Sequence, residues 1–280
     1  MLLSKSSESF AYASAAIRYI SSHDRHPDTS LNNLLVLSPD CAYEAYAELD
    51  LLYHHILESI DPRTRYIVLK ILCLYCSRFM GYIHWIGILF GEKTSTLELA
   101  LVKMSSVIQF EWQSGRFPIY HTSFGDFLRD KVCSGGLYVY SSDVATPVAA
   151  ALMSRIWVPP VIFSQDDHLL TDITGMIEDF DAIAVDMKIH ILRAFIASPF
   201  PITLAMYRML VFRIFFAKID RGSQSKDHPA ALTQLFLGAF EHLAMWLEDI
   251  KALENKNAVG VQDIESAIQQ NGVLQRELSK

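Results

Sequence analysis

Val107-Ile108-Gln109-Phe110-Glu111-Trp112, then Gln113-Ser114-Gly115-Arg116, then Phe117-Pro118-Ile119-Tyr120-His121 is the stretch on which the fold turns. β-Branched and aromatic residues flank four residues that contain a glycine, so the pattern predicts two strands joined by a turn. Immediately upstream, Asp61-Pro62 reads as an N-cap followed by proline at the first helical position, opening a helix that runs through Cys76. After Gly81 a brief helix to about Leu89 is cut at Gly91, and another is expected from about Ser95 to Ser106, with Thr94 or Ser95 suited to capping it. Three helices followed by a hairpin is the winged-helix layout.

Further outward the pattern is helical. A short helix is expected around Phe10 to Ser21, ending in the polar stretch from Ser22 to Ser30 that contains Pro27. A second runs from about Ala42 to Ile60, with Leu49, Leu52, Tyr53, Ile56, Leu57 and Ile60 on one face. Beyond Ser142, amphipathic helices are expected at 142–156, 166–178, 180–197, 202–219, 229–254 and 261–278, with breaks at Pro159-Pro160, Ser198-Pro199 and Arg221 to Pro229. The fold class expected is mostly α: a helical lid segment over 1–60, a winged helix with a β-hairpin wing over 61–140, and a helical domain over 141–280. Charge follows the same division, with three basic and eight acidic residues in 1–60, nine and six in 61–140, and twelve and seventeen in 141–280.

The 280 residues carry a net charge of −7 and are 51% apolar, which excludes a disordered tail or a low-complexity chain. Four irregularly spaced cysteines do not make a disulfide framework, and with no signal peptide at the start an intracellular, cytoplasmic setting is expected. The longest apolar runs, Tyr66 to Gly91 and Ile202 to Ala217, are interrupted by Lys70, Arg78 and His84 and by Arg208 and Arg213. They read as buried core helices, and no membrane partner is expected. The helix where a winged-helix DNA reader would concentrate its cations, Ser95 to Ser106, has Lys103 as its only basic residue beside acidic Glu98, so no nucleic-acid partner is expected either.

Four stretches, in order, resemble the carboxy-terminal part of fungal NACHT modules, the STAND-class signalling NTPases related to animal NOD-like receptors. They are Ser6-Ser7-Glu8-Ser9-Phe10-Ala11-Tyr12-Ala13 with Ile17-Arg18-Tyr19-Ile20; Ala47-Glu48-Leu49-Asp50-Leu51-Leu52-Tyr53 with Ile56-Leu57; the helical run ending in Ser105-Ser106-Val107-Ile108; and His121-Thr122-Ser123-Phe124-Gly125-Asp126-Phe127-Leu128 followed by Ser134-Gly135-Gly136-Leu137-Tyr138-Val139. The last is the most specific. The likeness covers roughly residues 6–157. Glu8 stands where the family usually has glycine, and Asp143 to Pro147 lacks a histidine that relatives commonly have there.

The resemblance implies a non-catalytic regulatory region, the lid and winged helix that close over ADP and move on exchange for ATP, here in a truncated member. The phosphate-binding loop and acidic magnesium site of the class are not in this sequence. Gly91-Glu92-Lys93-Thr94 lacks the G-x-x-x-x-G-K-[ST] spacing and reads as a turn between helices. No enzymatic activity and no cofactor is therefore expected of the chain alone, with ADP or ATP only where an upstream NTPase core is present. The partners implied are that core or other protein domains. The alternative is a helical protein–protein interaction scaffold without nucleotide response.

By the resemblance, His121 is the nucleotide contact, since the family's winged-helix histidine meets the β-phosphate of ADP. An imidazole suits that role because it donates a hydrogen bond to phosphate and can gain charge near neutral pH. The bland reading of His121 is a strand-end histidine paired with Asp126 or a backbone carbonyl. Phe124, Phe127 and Leu128 are expected to anchor their helix, and Ser123 and Asp126 near His121 make no hydrolase without an oxyanion hole or nucleophile elbow. Cys73-Leu74-Tyr75-Cys76 reads as mid-helix thiols, and His54-His55 and Asp166-Asp167-His168 as solvated faces or caps, so no catalytic residue and no metal ligand is assigned.

Overall fold

The computed structural model describes residues 10–22, 26–36, 47–77, 83–111, 115–157, 180–198, 218 and 229–253. The expected helices at 166–178 and 261–278, nearly all of 202–219, Ser6 to Ser9 and Asp166 to His168 lie outside them. The described residues are mostly α-helical and fall into two compact units, Met1–Cys76 with Met80–Ala145, and Ser77–Phe79 with Thr146–Lys280.

In the first unit, helix α1 spans Phe10–Ile20 and α2 spans Pro27–Val36. The second helix corrects the reading of Ser22 to Ser30 as a polar break. Pro27 is its first residue, where a missing amide costs nothing and the fixed φ favours the helix, with Asp28 in the first turn. Its inner face carries Ser30 and Leu34, both buried. The helix α3 spans Ala47–Glu58, packs on α1 and buries Leu49, Leu52, Tyr53, Ile56 and Leu57. Helix α4, Pro62–Cys76, begins where expected: the Asp61 carboxylate accepts from the Thr64 amide at 3.0 Å, and the Thr64 hydroxyl followed by that amide lowers its pKa.

Helices α5, Ile83–Phe90, and α6, Thr94–Val102, are joined by a turn in which Gly91 has φ +68°, so Gly91-Glu92-Lys93-Thr94 links two helices. Helix α6 packs on both α4 and α5, burying Leu97, Ala100 and Leu101. Two expectations need correcting here. The N-cap is Lys93 and makes no side-chain cap bond, so neither Thr94 nor Ser95 caps the helix, and α6 ends at Val102 with turns running on to Val107.

The predicted hairpin is shorter than its sequence implies. Antiparallel bridges pair Ile108 with Ile119 and Glu111 with Arg116, and the Gln109, Glu111 and Tyr120 amides donate to the carbonyls of Pro118, Arg116 and Val107 at 2.8–3.0 Å. Among the described residues no continuous strand forms. Pro118 has no amide to give the ladder, and Gly115 turns the chain at φ +67°. The Gly115 carbonyl also accepts from the Ile83 amide at 3.1 Å, so the paired segment is tied to the start of α5.

Helix α7, Thr122–Arg129, follows at once, with the short α8, Lys131–Ser134, behind it. Helix α7 packs against α3 and α4 through Phe124, Phe127 and Leu128, all buried. Helix α9, Ser142–Trp157, contains Pro147, which cannot donate to the carbonyl of Asp143 four residues back. The Tyr66 hydroxyl donates to that carbonyl at 3.3 Å instead.

In the second unit a 3₁₀ turn, Phe180–Ala182, precedes α10, Val185–Ile196, so the expected helix at 180–197 starts later than its apolar pattern. It packs on α11, Ala230–Leu253, with Phe195 fully buried and the Phe180 and Phe236 rings edge to face at 6.3 Å. No helix among the described residues is long and apolar enough to cross a membrane.

Candidate functional site

His121 is the residue at which the paired segment becomes a helix. Its backbone is extended, φ −141° and ψ 135°, and its Nδ1 accepts the amide of Ser123 at 3.2 Å, which makes it the N-cap of α7. A nitrogen that accepts from an amide carries no proton, so the neutral ring holds its hydrogen on Nε2. The imidazole is exposed, and Nε2 has no partner among the described residues. The cap therefore fixes a ring whose free N–H faces outward.

Ser123 is the pivot beneath it. Its Oγ lies 2.7 Å from His121 Nδ1 and 2.8 Å from the hydroxyl of Tyr53 on α3. The consistent proton order is Tyr53 donating to Ser123 and Ser123 to His121. The Tyr53 ring is 1% exposed, with the Phe124 ring 4.9 Å and the Phe127 ring 5.4 Å away. Burial pushes its hydroxyl up to about 12. It is thus a fixed neutral donor. The second and fourth stretches of the sequence resemblance meet here, through Tyr53, Ser123 and the two phenylalanines.

The other expected partner is elsewhere. Asp126 bonds Arg129 at 2.8 Å, one turn along α7, so neither the pairing of His121 with Asp126 nor a Ser-His-Asp arrangement is formed. The His54-His55 pair is half-buried rather than fully solvated: His54 Nε2 donates to the Cys133 carbonyl at 2.8 Å, and His55 Nε2 lies 2.6 Å from the Tyr19 hydroxyl. The two rings serve different contacts. Cys73 is buried, and crowding by protein atoms pushes the Cys76 thiol up to about 12, far from the thiolate range. Among the described residues no group of His, Cys, Asp and Glu is placed to hold a metal.

Beside His121 opens a cleft of about 90 Å³, walled by α1, by Tyr53, by Ser106 and Val107, and by Tyr120, His121 and Phe124. Arg18 enters it from α1. Its guanidinium lies 3.8 Å from the centre of the Tyr120 ring, and Nη1 donates to Ser14 Oγ at 2.7 Å. Arg18 and Tyr53 are the site residues that sequence reasoning missed, having been read as helix and core. For Arg18 a signal existed, because it is the only charged side chain in α1. No family model, curated protein or solved structure matches this chain.

Proposed function

We propose that residues 1–60 and 61–140 act as the lid and winged helix of a NACHT/STAND-type nucleotide-dependent switch, non-catalytic by themselves and working with an NTPase core in the cytoplasm. The paired segment 107–120 is then an abbreviated wing: it follows three helices, carries antiparallel bonds and is held to the start of α5 by the Ile83 amide. His121 is the nucleotide contact. The observation that carries this reading is the cap geometry, in which Nδ1 is spent inside the protein and the exposed Nε2–H remains to donate to a phosphate oxygen.

A switch needs a ligand with different affinity for its two arrangements, and one directed hydrogen bond to phosphate supplies such a difference. Tyr53 gives the lid helix a stake in it, because its hydroxyl reaches His121 through Ser123. The test is a graft of this region behind a related ATPase core, with His121→Leu as the variant. Faster loss of bound ADP is expected, and unchanged ADP retention would remove the assignment.

A further inference from the structure

We infer that the cleft beside α1 binds one phosphate group, with the guanidinium of Arg18 on one side and the imidazole of His121 on the other. The inference rests on the reading of His121 as a phosphate contact, and it adds a second ligand and a site that needs no upstream core. Arg18 is half-buried, yet among the described residues it forms no ion pair, in a chain where 31 carboxylates face 24 cations.

Two contacts fix where it sits: the Tyr120 ring face and Ser14 Oγ. Only Nη1 is engaged, so the remaining N–H groups of the fork stay open to a bidentate oxyanion. None of the described residues lining the cleft is acidic, while Ser14, Ser106 and the exposed His121 add polar groups. The cleft, about 90 Å³, has room for a phosphate group.

The experiment is an NMR titration of the full chain with inorganic phosphate and, separately, with ADP. The His121 ring resonances and the Arg18 Nε–H are expected to shift on one saturation curve, and Arg18→Gln to weaken phosphate binding at least ~10-fold. No saturable shift at either residue overturns the site. So does an Arg18→Gln variant that binds as well as the parent. Should Arg18→Gln fail to fold, the Arg18 Nε–H of the unaltered chain decides alone: a static resonance overturns the inference. His121→Leu separates the two readings. Lost binding supports both, whereas retained binding that still needs Arg18 keeps the phosphate site and removes His121 as its partner. Tighter binding of ADP than of phosphate marks a nucleotide as the source, and equal binding marks recognition of the phosphate group only; both outcomes support the site.

Discussion

His121 in the first unit and His190 in the second meet a hydroxyl through the same ring nitrogen, Nδ1 to Ser123 Oγ at 2.7 Å and Nδ1 to Thr146 Oγ1 at 3.1 Å. Burial separates them. His190 is 8% exposed, whereas His121 stands open at the edge of a cleft. Two buried cations of the second unit have protein partners: Lys188 donates to the Asp181 carbonyl at 2.9 Å and Lys218 to the Asp181 carboxylate at 2.7 Å. Arg18 has only a hydroxyl and an aromatic face. Residue type and hydrogen-bond chemistry are alike in both places, and what differs is how far each group is exposed.

That contrast depends first on the aromatic support under His121, and removing it should have the largest effect. Phe124 is 1% exposed and packs edge to face on Tyr53. Phe124→Ala should cost about 3–5 kcal/mol in urea unfolding, the usual range for emptying a phenylalanine site. A loss below ~1 kcal/mol would mean that the Tyr53–Phe124–Phe127 cluster is not the support described above.

The next effect is on the relay and shows at alkaline pH. Tyr53 has its pKa raised from 10.0 to about 12, mainly by burial. The native state therefore holds the phenol proton more tightly than the unfolded state does. Stability from this group is fully present below about pH 10 and is lost as pH rises through 10 towards 12. The loss is on the order of 2 kcal/mol for a shift of this size. Tyr53→Phe should flatten that part of the stability curve, measured as urea midpoint against pH, while costing about 1 kcal/mol at neutral pH through the lost hydroxyl. An equally steep fall in the variant would place the alkaline sensitivity elsewhere.

How much of this could be read beforehand varies with the range over which each feature is decided. The start of α4 was legible because Asp61 and Pro62 act on their own neighbours, and the thirteen-residue spacing from Val107 to Tyr120 shows in its β-branched and aromatic residues. Helix α2 was missed although Pro27 offers the same first-turn signal as Pro62, because the polar residues around it hide a narrow apolar face of which only Leu34 is deeply buried. The extent of strand pairing was overread, since the pattern of side chains does not register that Pro118 lacks an amide. The site was half legible. His121 stood out by the resemblance, but its pivot on Ser123 and its support by Tyr53 join positions 70 residues apart, and no local pattern encodes that.

The smallest expected change in stability gives the sharpest division between a histidine that builds the fold and one that meets a ligand. At position 121 the side chain has a structural duty, accepting the Ser123 amide at the start of α7, and that duty does not need an imidazole. Asparagine is among the best N-caps, because its side-chain oxygen accepts the same amide. His121→Asn should therefore leave stability within ~0.5 kcal/mol of the parent, whereas His121→Leu, which has no acceptor, should lose about 1 kcal/mol. The proposed ligand duty runs through the far side of the ring. The asparagine amide is shorter than imidazole and does not carry an N–H to the place where Nε2 presents one. If His121 is the phosphate contact, the asparagine variant folds like the parent in urea yet loses ADP retention in the grafted switch as fully as the leucine variant does. If asparagine restores stability and ADP retention together, position 121 acts through the cap alone, and the open ring in the first unit is then no more a ligand group than the enclosed one in the second.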